Sequence, residues 1–300
     1  MRAVRFHEFG GPEVLRLEEV EIPVPGPGEV RLRVAATSFT ALDARIRAGH
    51  TALPVQLPHT PGVDVAGMVD ALGDGVDSVA VGDRVVGLLP LSAPGAAAEF
   101  VIAPADVLTG APRNRPLSDM AALPFAGLSA WQAVFGHGHG RPRAGQRVLI
   151  HGADGAAGGY AVQLAKELRA HVIATATPGG AGRVRAGGAD EVLVLPLDDA
   201  GGTGSETVHA VLDLAPTTPH MTDAPGPLGR HLTDVSGLFE CSLAPRNDSD
   251  QLADLVARVC TGELIIDVAR RVPLTDLPAV HTRHAAGCVP GTTVVLVSPA

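Results

Sequence analysis

Apolar residues follow two rhythms along the chain, and the change comes near residue 119. Before it, short strand-like runs alternate with turn residues: "AVRF" (3–6), "VLRLEEVEI" (14–22), "VRLRVAAT" (30–37), "VDVAGMVDAL" (63–72) and "VAVGDRVVGLLP" (79–90). They are separated by "PVPGPGE" and "GDGVDS", whose Gly, Pro and Asp favour tight turns. Closely spaced strands of this kind predict a β-barrel or folded sheet. After it, the spacing becomes helical. "LSDMAALPFAGLSAWQAVF" (117–135) predicts a helix capped by Ser118 and interrupted near Pro124. Then "RVLIHG" reads as a buried strand, "AAGGYAVQLAKELRA" as a helix and "HVIATA" as a second strand, with "EVLVL", "AVLDLA" and "HLTDVSG" as further strands. Strands alternating with helices predict a doubly wound parallel sheet. The tail "LIIDVARRVPLTDLPAVHTRHAAG…TTVVLVS" returns to strand, helix, strand and is expected to fold back on the first domain. The expected fold is therefore α/β, with a barrel domain over 1–118 plus 264–300 and a nucleotide-binding domain over 119–263.

Composition narrows the classes. Aromatic residues are 3% of the 300, against 46% hydrophobic, so the cores must be built from Val, Leu, Ile and Ala. A formal charge of −9 argues against a nucleic-acid or anionic-membrane partner. No apolar run reaches the roughly 18 residues needed to span a bilayer, and the first residues lack the apolar core of a signal peptide. Cys241, Cys260 and Cys288 are odd in number and far apart, which suits reduced thiols and a cytoplasmic location.

The chemistry concentrates at "HGADGAAGGYAVQLAK" (151–166). Ala153-x-Gly155-x-x-Gly158 follows a strand and opens a helix, the context a dinucleotide turn requires. A tight turn with bare backbone lets a pyrophosphate approach, and the helix N-terminus offers free N–H groups and the positive end of a dipole. Ala156 and Ala157 complete the loop, while Asp154 places a negative charge inside it. Downstream, "ATATPGGAGRVR" carries no acid where an NAD ribose would be read. Thr177 stands there, and Arg183 and Arg185 follow, able to pair with a 2′-phosphate or simply to line a solvated helix face. NADP, as NADPH, fits this better than NAD.

In order along the chain, "MRAVRFHEFGGPEVL", "PGVDVAGMVDALGDGV", "VGDRVVG", "LPFAGLSAWQAV" and "VLIHGADGAAGGYAVQLAK" resemble the zinc-independent medium-chain dehydrogenase/reductase superfamily, in its quinone oxidoreductase and enone reductase branch. The resemblance implies a GroES-like β-barrel domain, a Rossmann domain and NADPH in the cleft between them. It also implies a quinone or α,β-unsaturated carbonyl as substrate and a homodimer as the common assembly. Thr40 stands where the zinc branch has Cys, and Val63-Asp64 where it has His-Glu, so no catalytic zinc is expected. "GHGHG" (136–140) and His281 with His284 are read as solvated loop and helix faces. By the same resemblance Thr40 and His50 are the catalytic candidates, as donors to a developing oxyanion, with Ser129 and Ser236 beside the cofactor. Gly179, Leu195 and Thr292 depart from the family pattern on the cofactor side, as Asp154 does. The alternative is a cyclase, lyase or dehydratase on the same scaffold, with His50 and Asp43 or Asp64 as acid and base and weakened or lost cofactor binding.

Overall fold

The longest alternation in the first third builds the longest strand. In the computed structural model, which describes residues 1–136, 142–196, 208–215, 238–240, 244–287 and 291–298, β3 runs Glu29–Phe39. Its Val30, Leu32, Val34 and Ala36 are fully buried, as the period of two requires. β1 (Arg2–Arg5) and β2 (Arg16–Glu19) form a separate antiparallel pair. β4 (Asp64–Leu72) and β6 (Phe100–Pro104) pair with β3, β5 (Arg84–Leu88) pairs with β4, and β7 (Leu108–Gly110) pairs with β5. β13 (Val268–Pro273) and β14 (Thr292–Leu296) complete a seven-stranded sheet of order β13-β14-β3-β4-β5-β7, with β6 paired to β3. β14 lies antiparallel to β3, so the tail returns to the first unit as expected.

The second sheet is parallel. β8 (Arg147–His151), β9 (His171–Ala176), β10 (Glu191–Val194), β11 (Ala210–Asp213) and β12 (Leu238–Glu240) stand in the order β10-β9-β8-β11-β12. The chain leaves β8 at the centre and winds outward on both sides, which is the doubly wound arrangement. Leu149, Ile173, Val208 and Val211 form one buried cluster, with Leu193 packed against it.

Seven helices are described: α1 (Ala41–Arg47), α2 (Leu117–Met120), α3 (Pro124–Phe135), α4 (Ala156–Glu167), α5 (Ala181–Ala186), α6 (Ser249–Thr261) and α7 (Leu277–Ala285). Ser118 is not a cap: α2 begins one residue earlier, behind Pro116, and ends before α3 restarts at Pro124. The interruption fits Pro124, which has no N–H to continue a helix but suits a first position. α6 buries Leu252, Leu255, Val256 and Val259 on one face. Asp248 caps its start by accepting from the Gln251 N–H at 3.0 Å, and Gly262 ends it at a φ of 82°.

The chain divides into Met1–Leu128 with Arg246–Ala300, and Ser129–Pro245. The expected divisions stood at 118/119 and 263/264. The later first division falls within α3, and the earlier second one leaves α6 in the first unit, where Arg115 donates to the Val259 carbonyl at 3.3 Å.

Candidate functional site

In the first unit the candidate chemistry starts where β3 ends. Thr40 caps α1 in a reciprocal box. Its hydroxyl accepts from the Asp43 N–H at 3.2 Å and donates to Asp43 Oδ2 at 2.7 Å, while its own N–H donates to the same oxygen at 2.9 Å. Asp43 Oδ1 accepts from the Gly62 N–H at 2.8 Å. The carboxyl is only 2% exposed, and burial pushes its pKa up against the hydrogen bonds from Thr40, Gly62 and Val63.

Asp64 forms a second buried acid at the start of β4. Its Oδ1 accepts from the Phe125 N–H at 2.7 Å, and its Oδ2 accepts from the Ser38 hydroxyl. Thr37 donates to the Asp64 carbonyl at 2.6 Å. Burial first, and Asp43 nearby, push the Asp64 carboxyl up to about 8, although the bonds from Ser38 and Phe125 pull the other way. Phe125 lies in the first turn of α3, where N–H groups have no intrahelical acceptor. Asp64 therefore ties β4 to the start of the helix that carries Ser129, and Ser129 itself is buried.

His50 lies beyond α1 and is exposed; its N–H donates to the Arg45 carbonyl at 2.9 Å. It has no part in the Thr40–Asp43 box. His281 departs from the solvated face expected of it. It is fully buried with its ring 4.8 Å from Phe39, and neither ring nitrogen has a hydrogen-bond partner among the described residues. Burial first, then Arg47 and His284, lower its pKa to about 3, so the ring is neutral there. Among the described residues, no three His, Cys, Asp or Glu side chains come together as a metal ligand set. Most of "GHGHG", together with Cys241 and Cys288, lies outside the described residues.

In the second unit the glycine turn is built as its sequence requires. β8 ends at His151, and Gly152 turns the chain at a φ of 74°. The buried Thr175 hydroxyl lies 2.8 Å from His151 Nδ1 and accepts from the Gly152 N–H at 3.0 Å. The Ala153 N–H donates to the Thr175 carbonyl at 3.0 Å, pinning the turn to β9. Gly155 is the N-cap of α4, and no side chain among the described residues caps that helix. The backbone before Ala156, Ala157 and Gly158 is thus left to meet a ligand. Among the described residues, a Cβ at Gly155 would meet only the Gly152 carbonyl oxygen, at 3.2 Å, so they leave the outer side of the turn open. At Gly158 a Cβ would fall 2.2 Å from the same oxygen and 2.5 Å from Ala153 Cα, so the helix packs onto the turn with no room for one. These residues fit a pyrophosphate.

Asp154 does not project over that open side. Its Oδ2 accepts from the Thr177 N–H at 2.9 Å and the Thr177 hydroxyl at 2.5 Å, across the turn that follows β9. Gly180 leaves room for it, since a Cβ there would come within 2.3 Å of Asp154 Cβ. Arg183 Nη2 donates to the Asp154 carbonyl at 3.4 Å, and Arg185 is exposed. Asp154, Thr177, Gly180 and Arg183 therefore meet at one place. Leu195 follows β10 and donates its N–H to the Ala176 carbonyl at 2.9 Å, while Thr292 is buried in β14 of the first unit. Ser236 lies outside the described residues.

The reading from sequence missed Ser38, Gly62, Gly152, Phe125 and Thr175. Thr40-x-x-Asp43 is a capping pattern that could have revealed α1; the others have no local signal, because their partners are distant in the chain.

Residues 26–113 match the family described as Alcohol dehydrogenase GroES-like domain. The chain is similar to the quinone oxidoreductase of Mus musculus, at 39% identity over 177 residues, 59% of this chain and 52% of that protein. The chain thus spans about half the length of that curated relative. Among solved structures, the quinone oxidoreductase from Coxiella burnetii superposes with a TM-score of 0.83 at 26% identity, over 99% of both chains. A mycobacterial protein complexed with NADPH gives a TM-score of 0.82 at 29% identity, over 99% of this chain and 100% of that one.

Proposed function

Because this chain belongs to the medium-chain dehydrogenase/reductase superfamily, in its quinone oxidoreductase branch, we propose that it reduces a quinone or an α,β-unsaturated carbonyl, with NADPH as electron donor and without zinc. The observation that carries this reading is the uncapped start of α4 behind an open glycine turn. Ala153, Gly155, Ala156, Ala157 and Gly158 would hold the pyrophosphate, with Ser129, Thr177, Arg183 and Ser236 as further contacts. The NADPH complex of the mycobacterial relative and the two arginines after β9 support the phosphorylated cofactor. When bound, that cofactor supplies the hydride.

What the chain itself contributes is a proton donor for the developing oxyanion. Thr40 is the better candidate, since its hydroxyl is held in one orientation by Asp43. The raised pKa of Asp43 lets that hydroxyl change roles. With Oδ2 protonated, the acid O–H donates to Thr40 and frees the threonine proton for a substrate oxygen. The acid–base alternative is less well supported: Asp43 and Asp64 are occupied by backbone N–H groups and hydroxyls, and His50 is an exposed residue whose N–H bonds to the Arg45 carbonyl.

The test is NADPH oxidation in the presence of a simple quinone or enone. Thr40→Val is expected to lower kcat by about 100-fold, and Thr40→Ser to retain most of the activity. A loss of about 100-fold at His50→Ala, with Thr40→Val unaffected, would transfer the role to the histidine. A reaction that needs His50 but no nicotinamide would replace this reading with the non-redox one.

A further inference from the structure

A carboxylate at the end of the second strand of a doubly wound sheet conventionally bonds the adenosine ribose hydroxyls, and a basic group there accommodates a 2′-phosphate. In this chain the residues after β9, Thr177-Pro178-Gly179-Gly180, supply neither. The place is not empty of charge, however. Asp154 reaches it from the glycine turn, bonded to Thr177 through both the N–H and the hydroxyl. Gly180 has no Cβ where the aspartate side chain packs. On the other side, the Arg183 guanidinium reaches the Asp154 carbonyl. One carboxylate and one guanidinium thus meet at a single loop, and they favour opposite cofactors.

We infer that Asp154 is a specificity-determining residue that acts against the 2′-phosphate, so that the chain discriminates only weakly between NADPH and NADH. This rests on the dinucleotide reading above. A phosphate brought to the Thr177 turn meets the carboxylate at short range and competes with it for the Thr177 donors. A ribose hydroxyl donates to the same carboxylate instead. Arg183 offsets the repulsion without removing it.

The experiment measures dissociation constants of NADPH and NADH, by nicotinamide fluorescence and calorimetry, for the unaltered protein, Asp154→Asn and Arg183→Ala. Asparagine keeps an oxygen that can accept from Thr177 and removes only the charge. Asp154→Asn is expected to tighten NADPH by about tenfold and to leave NADH within about twofold. The gain should shrink as salt is raised from 0.05 to about 0.5 M, which a purely structural change would not do. Arg183→Ala should weaken NADPH selectively. If both cofactors bind but Asp154→Asn leaves their ratio unchanged, the inference is overturned and the proposed function stands. If folded unaltered protein and Asp154→Asn both bind neither cofactor, both readings fall.

Discussion

Gly158→Ala is expected to destabilise the second unit by about 3 kcal/mol and to weaken NADPH binding by at least about tenfold. The added methyl would lie 2.2 Å from the Gly152 carbonyl oxygen and 2.5 Å from Ala153 Cα, and both are backbone atoms. No side-chain rotation relieves such a contact, so α4 must move away from the turn. The same displacement carries the first-turn N–H groups out of register with a pyrophosphate, coupling the loss of stability to the loss of binding. Gly159→Ala is the internal control. It lies in the same helix, and its Cβ would meet nothing within 4 Å among the described residues. There the substitution should raise stability by about 1 kcal/mol, the ordinary helix preference of alanine over glycine. Urea unfolding of the two variants measures both effects; equal and small changes would mean that the packing of α4 onto the turn is not as described.

Asp64→Asn is the second large effect, and its signature is pH dependence. In the folded chain burial pushes the carboxyl up to about 8, from the ordinary 3.8 of an aspartate. Between these values the folded state holds a proton that the unfolded chain has released. Stability from this group is therefore fully present below pH 4 and is lost as pH rises to about 8, with a slope of at most about 1.4 kcal/mol per unit. His59, lowered to about 4 by burial, produces the opposite slope between about 4 and 6.5. The informative quantity is thus the difference between the unaltered protein and the variant. Asparagine can still accept from the Phe125 N–H and donate to the Ser38 hydroxyl, so Asp64→Asn should gain stability relative to the unaltered protein as pH rises from 5 to 8. Asp64→Ala removes both hydrogen bonds and should cost about 2–4 kcal/mol. Thermal melts at pH 5, 6.5 and 8 separate the cases. Parallel curves for Asp64→Asn and the unaltered protein would show that Asp64 ionises without penalty.

Both predictions mark the line between what the sequence discloses and what it does not. β8, the glycine turn and α4 are legible because each depends on local signals: a buried apolar run, small residues at fixed spacing, and a helical stripe. The returning tail is legible for the same reason, and the order of five family-like blocks anticipates both sheets. α1 is hard to read although its capping residues are only three apart in sequence, because the helix they open has just seven residues. β6 and β7 were passed over as strands of five and three residues whose partners lie well before them in the chain.

The site is less legible than the fold. An aspartate within a phosphate-binding turn reads as a repulsive charge until its direction is known. That direction is set by Thr177 and by the missing Cβ of Gly180, more than twenty residues further on. The same holds for Asp64, whose partners Ser38 and Phe125 come from a different strand and from a helix. His281 was read as solvated because its i, i+3 partner is also a histidine, whereas Phe39, far earlier in the chain, covers it.

That the turn at 152–158 holds a nicotinamide dinucleotide is the proposal on which the others rest. It is tested most directly by titrating the folded protein with NADPH, and in parallel with NADH, while following nicotinamide fluorescence. Saturable NADPH binding is expected, with a Kd of about 100 μM or tighter, lost in Gly158→Ala and kept in Gly159→Ala. Well-folded protein that binds neither nucleotide, or binds NADPH equally well with Gly158 replaced, would contradict it.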